Sequence, residues 1–296
     1  MDDGSTGGGS SRIAPYAWML GGCFTFAWMS EFAHQLGSSC DWRIVALARS
    51  LLAFTFALGL AKACGARLVL RDPPILWLRS VCGSLSLLCT FFALSHLRTS
   101  EVLTLTNTFP IWVALLSWPI LREKPSGAVW LAAACGVAGI TLIQQPHFEA
   151  VPGSRLAAPL ALVAAFTSAV AMLGLHRLNG LDPLAIVVHF SGVATVFVLG
   201  AWLVGGPPDV TPLLDARHAA LLLGVGVTAT LGQLCLTRAF TSGQPARVSV
   251  VGLTQIVFAM GLDLAFGGSP FDVTTLAGIG LVVAPTAWMM AGKTGE

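Results

Sequence analysis

The chain has 296 residues, 55% of them hydrophobic and 10% charged, with a mean hydropathy of +0.79. Soluble domains carry about 25% charged residues, so sixteen Lys and Arg with fourteen Asp and Glu fall far short of covering a globule of this size. This excludes a water-soluble domain and a disordered chain, while a net charge of +2 without a basic cluster excludes nucleic acid as a partner.

A helix needs roughly 20 apolar residues to cross a bilayer core of ~30 Å. After an N-terminal segment, 1–12, whose Gly and Ser content predicts a flexible tail, ten such runs follow: 13–34, 43–63, 75–97, 100–121, 127–145, 155–175, 183–204, 218–239, 246–266 and 272–291. Gly, Pro or charge closes each run, and the short connections leave no room for a soluble catalytic domain. The expected fold is an all-α integral membrane protein of ten transmembrane helices. The run after Arg12 lacks a leader cleavage pattern and is expected to remain as a span.

With the N-terminus in the cytosol, Arg12, Lys62, Arg67, Arg71, Arg122, Lys124, Arg177, Arg238, Arg247 and Lys293 face inward. Only Arg43, Arg98, Arg155 and Arg217 then face outward. This satisfies the positive-inside rule with both termini cytoplasmic. No organellar leader is recognisable, which makes the cell membrane the expected location. The seven cysteines are scattered through apolar runs without metal-binding spacing, and no cofactor motif is present, so neither metal nor cofactor is expected.

Displacing the chain by 145 residues superposes spans four and five on spans nine and ten. Ile111/Ile256, Ala114/Ala259, Pro125/Pro270, Leu131/Leu276, Ala132/Ala277, Val137/Val282 and Thr141/Thr286 coincide. Each half, 13–145 and 155–291, then holds five spans, and an odd number forces the halves into opposite orientations. Inverted repeats are the architecture of secondary transporters, whose substrate site lies near the midplane.

Ionisable groups inside a bilayer are costly and therefore functional candidates. Arg49 lies well inside span two. Arg79 is close enough to the cytosolic end of span three for its guanidinium to snorkel. Glu31 and His34 sit near the outer end of span one, and Asp263 near that of span nine, where interfacial exposure is expected. His189 is alone in span seven and is expected to be a packing histidine. In span four, at ~100° per residue, Glu101, Thr104, Thr108 and Trp112 fall within an arc of ~80°, flanked by Asn107. Such a stripe faces protein or water rather than lipid. Arg247, Thr254 and Gln255 form its counterpart on span nine, and Thr230 and Gln233 add to it from span eight. Glu31 and Glu101 are the candidates for a coupling proton, because no carboxylate falls at the midpoint of a span. Trp112 and Trp28 lie too deep for an interfacial belt, and a cavity bearing them would suit a planar solute.

Two sets of motifs carry a resemblance. Ala93-Leu94-Ser95-His96-Leu97, Pro110 and Leu121-Arg122-Glu123-Lys124-Pro125 resemble the first repeat of the EamA family of the drug/metabolite transporter superfamily. Gly232-Gln233-Leu234-Cys235-Leu236-Thr237-Arg238-Ala239-Phe240, Ala246-Arg247-Val248-Ser249 and Leu253-Thr254-Gln255-Ile256-Val257-Phe258 resemble the second. With Arg49-Ser50 and Leu78-Arg79-Ser80, they are similar to the branch holding S-adenosylmethionine and riboflavin importers and solute carrier family 35 group G. The family's Gly-Glu turn is Arg122-Glu123 in the first half and Gly267-Gly268 in the second. The resemblance implies transport of a small-molecule metabolite and a central cavity lined by span four. The alternatives are a polytopic membrane enzyme acting on lipid, for which no HExxH or nucleophile–base constellation is visible, and a non-transporting scaffold.

Overall fold

The computed structural model describes residues 7–71, 73–146, 156–206, 208, 210, 211, 215–266 and 272–291, with side chains from Ile13 onward, Ser38 excepted. Lipid offers no hydrogen bonds to a backbone, so each crossing must satisfy its own. The described residues accordingly form helices and short turns, with no strand. In order they are α1 (Gly7–Leu36), α2 (Trp42–Ala63), α3 (Pro74–Leu94), α4 (Thr99–Thr106), α5 (Phe109–Leu121) and α6 (Gly127–Gln144). The second half holds α7 (Ala157–His176), α8 (Pro183–Gly205), α9 (Ala216–Ser242), α10 (Pro245–Gly252), α11 (Gln255–Ala265) and α12 (Val273–Ala291).

Counting α4–α5 and α10–α11 as single crossings, nine spans among the described residues are long and apolar enough to cross a membrane. The tenth is α1, which is 30 residues long but diluted in its middle by Tyr16, Trp18, Gly21 and Gly22. It begins at Gly7, inside the stretch expected to be a tail, because the helix continues past the apolar run. The expectations for Arg155, Pro270, Gly267-Gly268 and Lys293, and for the side chain of Arg12, lie outside the described residues. Large apolar side chains cover the outer surface; Leu203, Val204 and Val273 are all more than four-fifths exposed.

Local chemistry sets the helix starts. Asp41, Asp182 and Asp215 cap α2, α8 and α9, each carboxylate accepting a backbone N–H two residues on. Proline opens α3, α8 and α10, where a missing N–H costs nothing.

Spans four and nine differ from the continuous helices expected at 100–121 and 246–266, because each is broken near its middle. In the first, α4 ends at Asn107-Thr108 and Pro110, which has no N–H and crowds the carbonyl four residues back, starts α5. The second breaks without a proline. The N–H groups of Leu253 and Thr254 reach back only three residues, to Val250 and Val251, a tightened 3-10 stretch. The Gly252 carbonyl then takes the Cys23 thiol of α1 at 3.4 Å. A Cβ on Gly252 would approach the Phe109 ring to 3.3 Å, so the two breaks abut.

The two halves interleave. Helix α1 packs on α9 and α11, and its counterpart α7 on α3 and α5. Likewise α2 packs on α9 and α8 on α3, while α2 meets α8 and α6 meets α12 across the same axis. That pattern is a two-fold relation between spans one to five and six to ten. Small residues permit the closest approaches. A Cβ on Gly139 or Gly278 would come within 2.6 Å of the other's carbonyl oxygen, so α6 and α12 touch backbone to backbone.

Candidate functional site

A cavity lies between α2, α3, α8 and α9, two helices from each half. Its lining is Arg49, Ser50 and Ala53 from α2, Leu87 from α3, Phe190, Ser191 and Ala194 from α8, and Ala229 and Gln233 from α9. Ala53 follows Arg49 by one turn, and Ala194 follows Phe190 by one turn, so helical spacing alone aims these pairs at a common space. The cavity measures only about 10 Å³, room for about one water. Entry of a solute requires the bundle to move.

Arg79 does not line this cavity but packs against Phe190, which does. It is 1% exposed, so it does not snorkel as expected from its place near a span end. Its guanidinium sits 3.8 Å from the centroid of the Phe190 ring, and all three of its nitrogens lack a hydrogen-bond partner. Glycines make the room. A Cβ on Gly83 would fall 2.8 Å from both Arg79 Nη1 and the Phe190 ring, and one on Gly174 would fall 3.2 Å from Arg79 Cβ. No carboxylate among the described residues pairs with either Arg49 or Arg79. Burying an unpaired charge costs several kcal/mol even after relaxation, and a desolvated cation–π contact returns about 2 kcal/mol. The fold alone leaves that deficit open.

Other unpartnered groups collect nearby. Ser191 Oγ, Thr237 Oγ1 and His189 Nε2 are buried without a hydrogen bond of ordinary geometry. His189 is otherwise held as packing, with Nδ1 and Ser80 Oγ 2.8 Å apart and Trp77 edge-on at 4.7 Å. Ser191 follows Phe190 on α8, and Thr237 lies one turn beyond Gln233 on α9.

The structure brings Arg49 and Gln233 together, with Thr230 buried one turn away, its hydroxyl donating to the Gly226 carbonyl at 2.7 Å. It does not bring the span-four stripe to this cavity. Thr104, Thr108 and Asn107 donate to the carbonyls of Ser100, Leu105 and Leu103 within their own helix and its end, which satisfies them locally. Glu101 is buried at the start of α4, where Oε2 accepts the Arg98 N–H at 3.2 Å. Trp112 packs edge-on against Phe166 at 5.5 Å, between α5 and α7. Trp28 packs against Phe32 and Phe266. Glu31 accepts from Gln35 at 2.9 Å, while His34 and Asp263 are exposed. On the second broken span, Thr254 donates to the Val251 carbonyl, and Arg247 and Gln255 are half-buried. Phe190 and Ser191 were absent from the expected site because one aromatic and one serine in an apolar helix carry no periodic signal.

Arg49 and Ser50 of α2, Arg79 of α3, and Gln233 and Thr237 of α9 fall within the motifs quoted above, and the sequence profile of the EamA-like transporter family matches residues 13–144 and again 155–291. The chain belongs to the EamA-like transporter family. The pseudopaline exporter of Pseudomonas aeruginosa is 28% identical over 274 residues, covering 92% of this chain and 94% of its own. Mouse solute carrier family 35 member G1 is 24% identical, covering 74% of this chain and 63% of its own. A solved structure shares the fold with a TM-score of 0.82 at 16% identity, over 93% of this chain and 96% of that one. In this EamA-like chain the turn between α5 and α6 has Arg122 where the family pattern has Gly. Its backbone is left-handed, φ 61°, the conformation a glycine adopts without strain.

Polar contacts tie both ends of the bundle. At the end that holds the α1–α2 turn, Arg43 donates to the carbonyls of Gly205 and Gly206, and Ser39 Oγ lies 3.0 Å from His218 Nε2. Hydrogen bonds from Arg43 hold the Asp41 carboxyl below the usual carboxylate range. At the opposite end, His176 Nε2 lies 3.8 Å from a Glu123 oxygen, and Arg177 donates to the Ile120 carbonyl.

Proposed function

We propose that the chain is a secondary transporter that carries a small polar organic metabolite through the central cavity by alternating access. The observation behind this reading is a narrow, arginine-bearing cavity enclosed by two helices from each half. We take 13–145 and 155–291 as the inverted repeats, and the cell membrane as the location, with both termini cytoplasmic. Rocking one repeat against the other would part the Ser39–His218 contact at one end and the Glu123–His176 contact at the other, in turn. The relatives named as transporters and exporters support transport over an enzymatic role.

The test is reconstitution into vesicles loaded with a mixture of polar cell metabolites, followed by mass spectrometry of what exchanges. At least one solute should cross faster than in protein-free vesicles, and its rate should saturate. Cross-linking a Ser39→Cys/His218→Cys pair, or a Glu123→Cys/His176→Cys pair, should stop exchange, and reduction should restore it. Altered lipids with no exchange would favour the membrane-enzyme reading and end this one. In a background without native cysteines, Ser154→Cys should label from outside, and Ser126→Cys only after permeabilisation; the reverse overturns the orientation.

A further inference from the structure

We infer that Arg49 and Arg79 are two halves of one oxyanion site, divided in this conformation by the ring of Phe190, and that the carried solute bears a carboxylate or phosphate. The inference rests on the transporter reading and supplies its substrate class.

Three observations carry it. Arg79 is buried with every guanidinium nitrogen unpartnered, a state that structural arginines avoid by pairing with carboxylates or backbone carbonyls. The bed around it is shaped for the guanidinium and ring together, since Gly83 leaves room for both Nη1 and Phe190 where any side chain would collide. Phe190 also lines the cavity that holds Arg49, so the same ring that carries Arg79 borders the space of a second unpaired cation.

The arginines also differ in depth. Arg49 lies about a third of the way along α2, towards the end where Arg43 meets Gly205. Arg79 lies in the first third of α3, towards the opposite end, beside His189 and Trp77. An anion entering from either end therefore meets one guanidinium first. Turning the Phe190 ring aside would let the same oxyanion engage both, with the Ser191 and Thr237 hydroxyls as further donors. Guanidinium suits this role because its planar fork binds carboxylate and phosphate in bidentate fashion and is weakly hydrated. A cationic solute would have to pass two uncompensated positive charges, and a neutral one would leave them unpaired.

The experiment is thermal unfolding of the purified full chain in nanodiscs at constant ionic strength, titrated with citrate, inorganic phosphate, glucose and putrescine. Citrate, phosphate or both should stabilise the wild type saturably, and the stronger of the two distinguishes a carboxylate from a phosphate ligand. Glucose and putrescine should not. Arg49→Gln and Arg79→Gln should each weaken anion binding at least tenfold. Arg79→Lys, which keeps the charge but loses the fork, should weaken it less and serves as the test if Arg79→Gln does not fold. Anions no better than glucose on the folded wild type would overturn the site, as would undiminished binding in folded arginine variants. If a neutral solute exchanges in vesicles regardless of both arginines, the transporter reading stands and the anion site falls. If anions bind but nothing exchanges, the reverse holds.

Discussion

Adding one methyl group to Gly278 tests the packing of the two-fold axis directly. Its Cβ would lie 2.6 Å from the Gly139 carbonyl oxygen and 2.8 Å from Ile143 Cγ1. Reaching an ordinary contact of 3.4 Å means parting α6 and α12 by roughly 0.8 Å in an interior that is close-packed. Because the obstacle is backbone rather than a flexible side-chain tip, the overpacking cost sits near the top of the usual range, about 3 kcal/mol. Alanine's better helix propensity offsets about 1 kcal/mol of it. The expected net loss for Gly278→Ala is therefore about 2 kcal/mol. Gly280 provides the control, since it lies two residues along the same helix and a Cβ there meets nothing within 4 Å. Gly280→Ala should gain about 1 kcal/mol from propensity alone. Unfolding of both variants in mixed micelles of rising SDS fraction measures the difference, about 3 kcal/mol. Equal stability of the two variants would refute the backbone contact and, with it, the close approach of the fifth and tenth spans.

Other consequences are equally direct. Arg122→Gly should raise stability by about 1 kcal/mol in the same assay, because it relieves a left-handed non-glycine backbone. Trp112→Leu should lower stability by about 0.5–1.5 kcal/mol for the lost edge-on contact with Phe166, while metabolite exchange in vesicles keeps its rate. Glu101→Gln retains a capping oxygen and should leave both stability and exchange near wild type, whereas Glu101→Ala should cost about 1 kcal/mol. The lowered carboxyl of Asp41 stabilises the fold above the ordinary carboxylate range, and that contribution is lost as pH falls through the lowered value. Between about pH 6 and about pH 3, the wild type should therefore lose more stability than Asp41→Asn, as read from unfolding at each pH.

Composition and run length settled the membrane solvent and the number of crossings, because twenty apolar residues in lipid have little choice but to close a helix. The 145-residue displacement likewise disclosed the two matching halves, since Pro, Ala and Ile recur at fixed offsets whatever the packing. Lys and Arg in the loops bear only on orientation. What the sequence could not decide is which polar groups meet. Thr104 and Thr108 share one helical arc and Asn107 flanks it, yet nearby backbone carbonyls satisfy all three, and the choice between a local and a distant acceptor depends on what packs alongside. Arg79 near a span end looked free to snorkel; Gly83, Gly174 and Phe190 from three helices enclose it instead. The break at Leu253-Thr254 has no proline to announce it, and the Cys23 thiol and the Phe109 ring that meet it come from elsewhere in the fold. Arg49, Phe190 and Arg79 come from positions as far apart as 141 residues in the chain. Only the interleaving of the two halves brings one ring against Arg79 and to the wall of the cavity that holds Arg49, because adjacency across helices is a property of the packed bundle and leaves no periodic trace in the chain.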